Sequence, residues 1–179
     1  ARTASLLSAA TGLRIGEVQA LRLCDIDLDS GILVVSGSWN EADAVRQVPK
    51  SGKPRRVPLP GSVVAALRLQ LSVSIWKDEA DFAFPSADRT KPMGSRGITA
   101  PLYRALRDAG IDDKVRRERN LTFHSWRHFA NSLLVNSGIP LLRVQSAIGH
   151  ESDALTKRYL HVDDSLDDIR AIQNKIFAV

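Results

Sequence analysis

The chain has 179 residues, 44% hydrophobic and 25% charged, with a formal net charge of +5 and a pI near 9.7. That is the size of one ordinary domain with room for a real core, and the composition of a globular protein. No apolar run reaches membrane-spanning length, the first residues lack the ordered segments of a signal peptide, and an excess of arginine over lysine in a basic chain points to a polyanionic partner.

The opening "ASLLSAATGLRIGEVQALRL" spaces Leu6, Leu7, Ala10, Leu13, Val18 and Leu21 at roughly helical intervals, interrupted at Gly12. It predicts two helices with a turn at Thr11–Gly12. No capping residue precedes Ala1, so the chain is expected to begin partway into a larger protein. Cys24, in "LRLCDIDL", is expected as a small core residue; as the single cysteine it cannot form an internal disulfide, which fits a reducing cytoplasm.

"GILVVSGSW", Gly31 to Trp39, is β-branched and reads as one strand. "RQVPKSGKPRRVPL" reads as two short strands joined at Ser51–Gly52, and Pro49, Pro54 and Pro58 make it an edge hairpin. Pro60 to Ser74 reads as a helix with Val63, Leu67 and Leu71 on one face. "DFAFPSADRTKPMGSRG" is expected as a short strand and a loop, and Ile98 to Ala109 as a helix stopped by Gly110. After the basic run Arg116–Arg119, either a solvated loop or a phosphate contact, Thr122 is placed to cap a helix turning Phe123, Trp126, Ala130, Leu133 and Leu134 inward and ending at Gly138. "IPLLRVQSAIG", "SDALTKRYLHV" and "SLDDIRAIQNKIF" give three more helices, the last with Leu166, Ile169, Ile172 and Ile176 on one face. The expected class is α+β and mostly helical, with a small antiparallel sheet or hairpin at one edge.

"FHSWRHFANS" sets His124, Arg127 and His128 around Trp126. His124 and Arg127, three apart, share a helix face, and Trp126 points elsewhere, into the core. Three readings compete: a core helix with a solvated edge, a metal site, or a grip on phosphate. His124 and His128 have metal-ligand spacing, but there is no His-Glu-x-x-His motif, Arg127 would add charge beside the ion, and Cys24 is remote. Phosphate grip is the best reading, and no metal is expected.

Further motifs surround this helix: "TGLRIGE" with Arg14, "PKSGK" with Lys50 and Lys53, "AIGH" ending at His150, and "TKRYLH" with Tyr159. In this order, from about Leu6 to about Val162, they resemble the catalytic domain of the tyrosine recombinases, the phage integrase family. The resemblance implies Arg14 as the first catalytic arginine, Glu17 as its structural acidic companion, and Lys50 as the hairpin lysine. It implies His124 and Arg127 as the His-x-x-Arg box, His150 as the second histidine and Tyr159 as the nucleophile. It further implies double-stranded DNA as partner, a homotetramer on paired sites, and an additional N-terminal DNA-binding domain outside residues 1–179.

The family's chemistry explains those residue types. A tyrosine oxygen attacks a DNA phosphodiester, leaving a 3′-phosphotyrosine and a free 5′-hydroxyl. The bond energy is kept in the covalent intermediate, so no cofactor is expected. Guanidiniums suit the oxygens on which charge accumulates, Lys50 suits a general acid, and His124 suits a proton acceptor. For Lys50, Lys53, Arg55 and Arg56 a solvated hairpin is the bland alternative, competing with DNA contact for the last three, and for Arg14 it is a surface pair with Glu17. Two other functions compete with the recombinase: a type IB topoisomerase with the same active-site logic, and a DNA-binding module without catalysis. A bacterial or phage-host cytoplasm is the expected location, with no membrane. For the tail, 163–179, docking on its own domain competes with docking on a neighbouring protomer, as the family does.

Overall fold

The computed structural model describes residues 1–50, 52–149 and 166–178. His150, Tyr159 and the helix expected from "SDALTKRYLHV" lie outside the described residues. The described chain runs α1 (Arg2–Thr11), α2 (Ile15–Ala20), a 3₁₀ turn (Leu23–Asp25), β1 (Ile26–Asp27), β2 (Ile32–Val35), β3 (Ser38–Asn40), β4 (Val45–Gln47) and β5 (Arg55–Pro58). Then come α3 (Gly61–Ser72), α4 (Ser95–Asp108), α5 (Asp113–Glu118), α6 (Ser125–Asn136), α7 (Leu141–Ile148) and α8 (Asp167–Ile176). The mostly helical α+β class is therefore observed, with two small antiparallel sheets, β1–β2–β5 and β3–β4.

The strands differ from expectation in two ways. The run from Gly31 to Trp39 is two strands, broken at Ser36–Gly37. Ser36 turns inward to donate to Asp25 Oδ1, and the Arg46 guanidinium packs so closely over Gly37 that a side chain there would collide with it. The break sends β2 to one sheet and β3 to the other. For the same reason the expected hairpin is not one: β4 pairs with β3, β5 pairs with β2, and the turn through Gly52 links two sheets.

Cys24 is exposed rather than in the core. In the tight Leu23–Asp25 turn the inward position goes to Asp25, which is 8% exposed and accepts from Arg22, Ser36 and Arg46. A carboxylate with those partners is better satisfied inside than a thiol would be. The basic run also differs, since much of it lies in α5: Asp112 caps that helix by accepting from the N–H groups of Lys114 and Val115. Thr122 does not cap α6; its N–H donates to Ser125 Oγ, and His124 occupies the N-cap. Helix α4 starts at Ser95, one turn before the expected Ile98.

The main core gathers Leu7 of α1, Val18 of α2, Leu33 of β2, Val57 of β5, Val63 and Leu67 of α3, and Phe84, with Trp126 half-buried against it. A second cluster joins Ala130 and Leu134 of α6, Val144 and Ile148 of α7, and Ile169 of α8. Helix α1 touches α3, α4 and α6 and ends at Gly12, whose φ of 71° is left-handed. A Cβ there would also lie 3.1 Å from Ile148 Cγ2, so a glycine lets α7 close on the end of α1.

Helix α8 packs on this same domain. Gln173, 1% exposed, donates through Nε2 to Ala10 O at 2.9 Å, Asn174 Oδ1 accepts from the Gly61 N–H at 2.8 Å, and Arg143 pairs with Asp168 at 2.7 Å. The expected apolar stripe is unevenly used: Ile169 is buried, Ile172 packs beside it, and Ile176 is 40% exposed. Truncating Ile169 to Ala is therefore expected to destabilise the chain by about 2–5 kcal/mol, through lost burial and the cavity left behind. Ile176→Ala should stay within roughly 0.5 kcal/mol. Urea unfolding of both variants, followed by circular dichroism, checks the difference.

Candidate active site

The centre of the site is a carboxylate. Glu17, third residue of α2 and 1% exposed, accepts from the Arg14 N–H at 2.9 Å and from Arg14 Nη1 at 3.2 Å. Closing the first turn of α2 in this way fixes Arg14 at its N-cap. The same carboxylate takes a two-pronged pair from Arg55, with Nη1 to Oε1 and Nη2 to Oε2 both at 2.9 Å. Burial pushes the Glu17 carboxyl up, but Arg55 and Arg14 outweigh it and hold it below its ordinary range.

Arg127 approaches from the first turns of α6. It is 1% exposed, and Nη1 donates to Gly12 O at 2.7 Å and to Ile148 O at 2.6 Å. Its Nη2 donates to Gly149 O at 3.1 Å, and Arg14 Nη2 reaches the same oxygen at 3.3 Å. Arg55 Nε donates to Ala147 O at 3.1 Å. Three guanidiniums therefore end on the last carbonyls of α7, the negative end of its dipole. Burial first, then the charge of Arg14, brings the Arg127 guanidinium down to about 10, with Glu17 opposing; it stays charged at neutral pH.

His124 is exposed at the N-cap of α6, and its ring stands edge-on to that of His128, the centroids 4.9 Å apart. Partial desolvation, then His128, Arg127 and Arg14, hold its imidazole below the ordinary 6.5. It is therefore neutral at pH 7 and able to accept a proton. No cluster of three or more His, Cys, Asp or Glu suited to a metal occurs among the described residues.

The structure thus brings Arg14 and Arg127 onto one oxygen and sets His124 on the helix of Arg127. Lys50, Lys53 and Arg56 are exposed along the β4–β5 connection and β5. Arg55 is placed differently from the solvent-facing contact expected of it: its side chain is 9% exposed and turned into the Glu17 pair. The signal was present in "RRVPL". Alternation along β5 puts Arg55 on the side of Val57, 1% exposed, and Arg56 on the other. Gly149 closes the stretch "IPLLRVQSAIG"; its φ of 76° and the Arg55 guanidinium 2.9 Å from a would-be Cβ make it part of the site.

Residues 1–165 match the model of the phage integrase family. Among curated proteins, the chain is 32% identical over 155 residues to the tyrosine recombinase XerC of Corynebacterium glutamicum, covering 87% of this chain and 44% of that protein. It is 27% identical over 172 residues to the tyrosine recombinase XerA of Thermococcus kodakarensis, covering 95% and 53%. The chain spans about half the length of these relatives. Among solved structures, its fold is similar to the Tn1549 transposon integrase in complex with transposon right end DNA, with a TM-score of 0.70 and 22% identity over 98% of this chain and 58% of that one. A crystal structure of XerA recombinase gives 0.58 and 25% over 96% and 57%. This chain belongs to the phage integrase family of tyrosine recombinases.

Proposed function

We propose that residues 1–179 act as the catalytic domain of a site-specific DNA recombinase, cutting and rejoining strands through a 3′-phosphotyrosyl intermediate. One observation carries the reading: Arg14 and Arg127, far apart in sequence, converge on one oxygen, Gly149 O. Guanidiniums gathered on a carbonyl oxygen are placed to bind the more negative oxygens of a phosphodiester. In the transition state that charge increases, and fixed forks stabilise it without rearranging.

The roles follow from the groups' chemistry. Tyr159 Oη attacks phosphorus, and its proton passes to neutral His124. The 5′-oxygen leaves with a proton from Lys50, and the strand stays joined to Tyr159 through its 3′-phosphate. His150 donates a hydrogen bond to a phosphate oxygen. The reverse reaction, with a 5′-hydroxyl from a second strand, rejoins DNA, so no cofactor is needed. Double-stranded DNA is the partner, with exposed Lys53 and Arg56 near its backbone, and four copies act on paired sites in the cytoplasm of the host cell. The whole protein carries a further DNA-binding domain beyond residues 1–179, and 163–179 serves as a tail segment of the catalytic domain. Among the described residues no helix is long and apolar enough to cross a membrane.

A suicide substrate carrying the native site tests the reading: a covalent protein–DNA adduct is expected, and strand exchange between two sites separates recombination from simple relaxation. Tyr159→Phe should abolish the adduct while leaving DNA affinity largely intact, since phosphate is held by guanidiniums; a gel-shift run beside the adduct gel reads both.

Cleavage should also depend on pH through His124. Its imidazole sits below 6.5, so the accepting neutral form is present at and above neutrality. The rate is expected to fall as pH drops through that lowered value, and the fall should disappear in His124→Ala, measured as adduct formation under single-turnover conditions.

Lys50→Ala should slow cleavage far more than Lys53→Ala. A substrate with sulfur in the 5′-bridging position should restore the Lys50→Ala rate, because a thiolate leaves without a proton. Absence of restoration would assign Lys50 to charge stabilisation instead.

A further inference from the structure

Three charged residues hold the end of α7, yet only two of them have a role in the proposed reaction. Arg55 is the third. It starts β5, anchored by pairing with Val35 of β2, and its side chain reaches two different elements. Both carboxylate oxygens of Glu17 lie 2.9 Å from its nitrogens, and its Nε is 3.1 Å from Ala147 O. Gly149 lies against the same guanidinium, where a Cβ would be 2.9 Å from its Cζ. A planar fork with a third nitrogen pointing sideways can meet all three partners at once; a lysine cannot.

We infer that Arg55 is a positioning residue of the active site, acting through the Glu17 carboxylate and the C-terminal carbonyls of α7. Its effect has two parts. With Arg55 present, Glu17 is paired by its strongest partner, so the carboxylate does not draw Arg14 fully onto itself and Arg14 Nη2 remains directed at Gly149 O. The Ala147 contact fixes the end of α7 relative to β5, and the chain runs from that end directly into His150. Arg55 does not contact the reacting phosphate. The consequence for catalysis rests on the recombinase reading above; the geometric claim does not.

The test compares Arg55→Gln and Arg55→Lys in the full chain. Under single-turnover conditions with saturating DNA, Arg55→Gln should cleave on the order of 10- to 100-fold more slowly, as expected when reacting groups are displaced by a fraction of an ångström to an ångström. The half-saturating DNA concentration should stay near its original value. Adding Glu17→Gln to Arg55→Gln should recover part of the rate, because removing the carboxylate's charge releases Arg14; a purely structural role would give a further loss. A normal saturated rate, a defect confined to DNA affinity, or no recovery in the double variant would overturn the inference. Where Arg55→Gln does not fold, Arg55→Lys carries the test: it keeps the charge and loses the fork, and an undiminished rate overturns the proposal. If the unaltered chain forms no adduct on DNA, the recombinase reading falls, and the inference is judged without catalysis. The ¹⁵Nε–¹Hε signals of Arg14 and Arg127 should then shift on substitution of Arg55 and not in Arg68→Gln, an exposed position on the outer face of α3; unshifted signals overturn it.

Discussion

Everything in this site hangs on one buried carboxylate. Arg14, Arg55 and Arg127 bring three positive charges into a small volume, and Arg127 is 1% exposed. Like charges that close, cut off from water, oppose one another and oppose folding. Among the described residues Glu17 supplies the one full negative charge, and the carbonyls of Gly12, Ala147, Ile148 and Gly149 add their dipoles. The balance is incomplete, which is why burial and Arg14 still lower the Arg127 guanidinium to about 10. A cluster with net positive charge that is held by its surroundings is poised for an anion.

Two glycines let the helices reach that cluster. Gly12 ends α1 and Gly149 ends α7, both left-handed, at φ of 71° and 76°. Gly12 turns the chain so that its carbonyl faces Arg127 and leaves room for Ile148; Gly149 leaves room for the Arg55 guanidinium. A side chain at either would strain the backbone and push α7 away from α1 and β5. The site is therefore an arrangement of helix ends, not of side chains on a flat surface. The core supports this directly, since Ile148 belongs to the same cluster as Ala130 and Leu134 of the arginine-bearing helix α6.

Much of this was legible in the sequence, and the failures share a cause. Helices α1, α3, α7 and α8 followed from apolar spacing, helped at α1 and α7 by the glycines that end them, and the family resemblance grouped Arg14 with Arg127. What could not be read locally was partner choice. A β-branched run does not say that Ser36–Gly37 must bend around Arg46, and two short strands flanking a turn do not say that each pairs with a different neighbour. Asp25 displaced Cys24 from the inward position because its hydrogen-bond partners come from Ser36 and Arg46, later in the chain. Arg55 was misplaced although strand alternation held the answer, because a run of basic residues beside a turn reads as solvated until its pairing partner is known. In each case a long-range contact overrode a local pattern.

The division of labour proposed for arginine, lysine and histidine is consistent with their burial. A group required to stay charged must survive desolvation, and burial lowers a cation's pKa by up to 3–5 units when complete. Arginine begins high enough that Arg127 remains cationic after the fall. A lysine at that position, starting near 10.4, would approach neutrality. The groups proposed above to move protons stand at the other extreme: Lys50 and His124 are both exposed. Exposure keeps them within reach of exchange with solvent, while partial desolvation of the ring, then His128 and the nearby guanidiniums, bias His124 toward the neutral form. Permanent charge inside, with an imidazole held below its ordinary range at the surface of the same helix, is the arrangement the proposed grip on phosphate calls on.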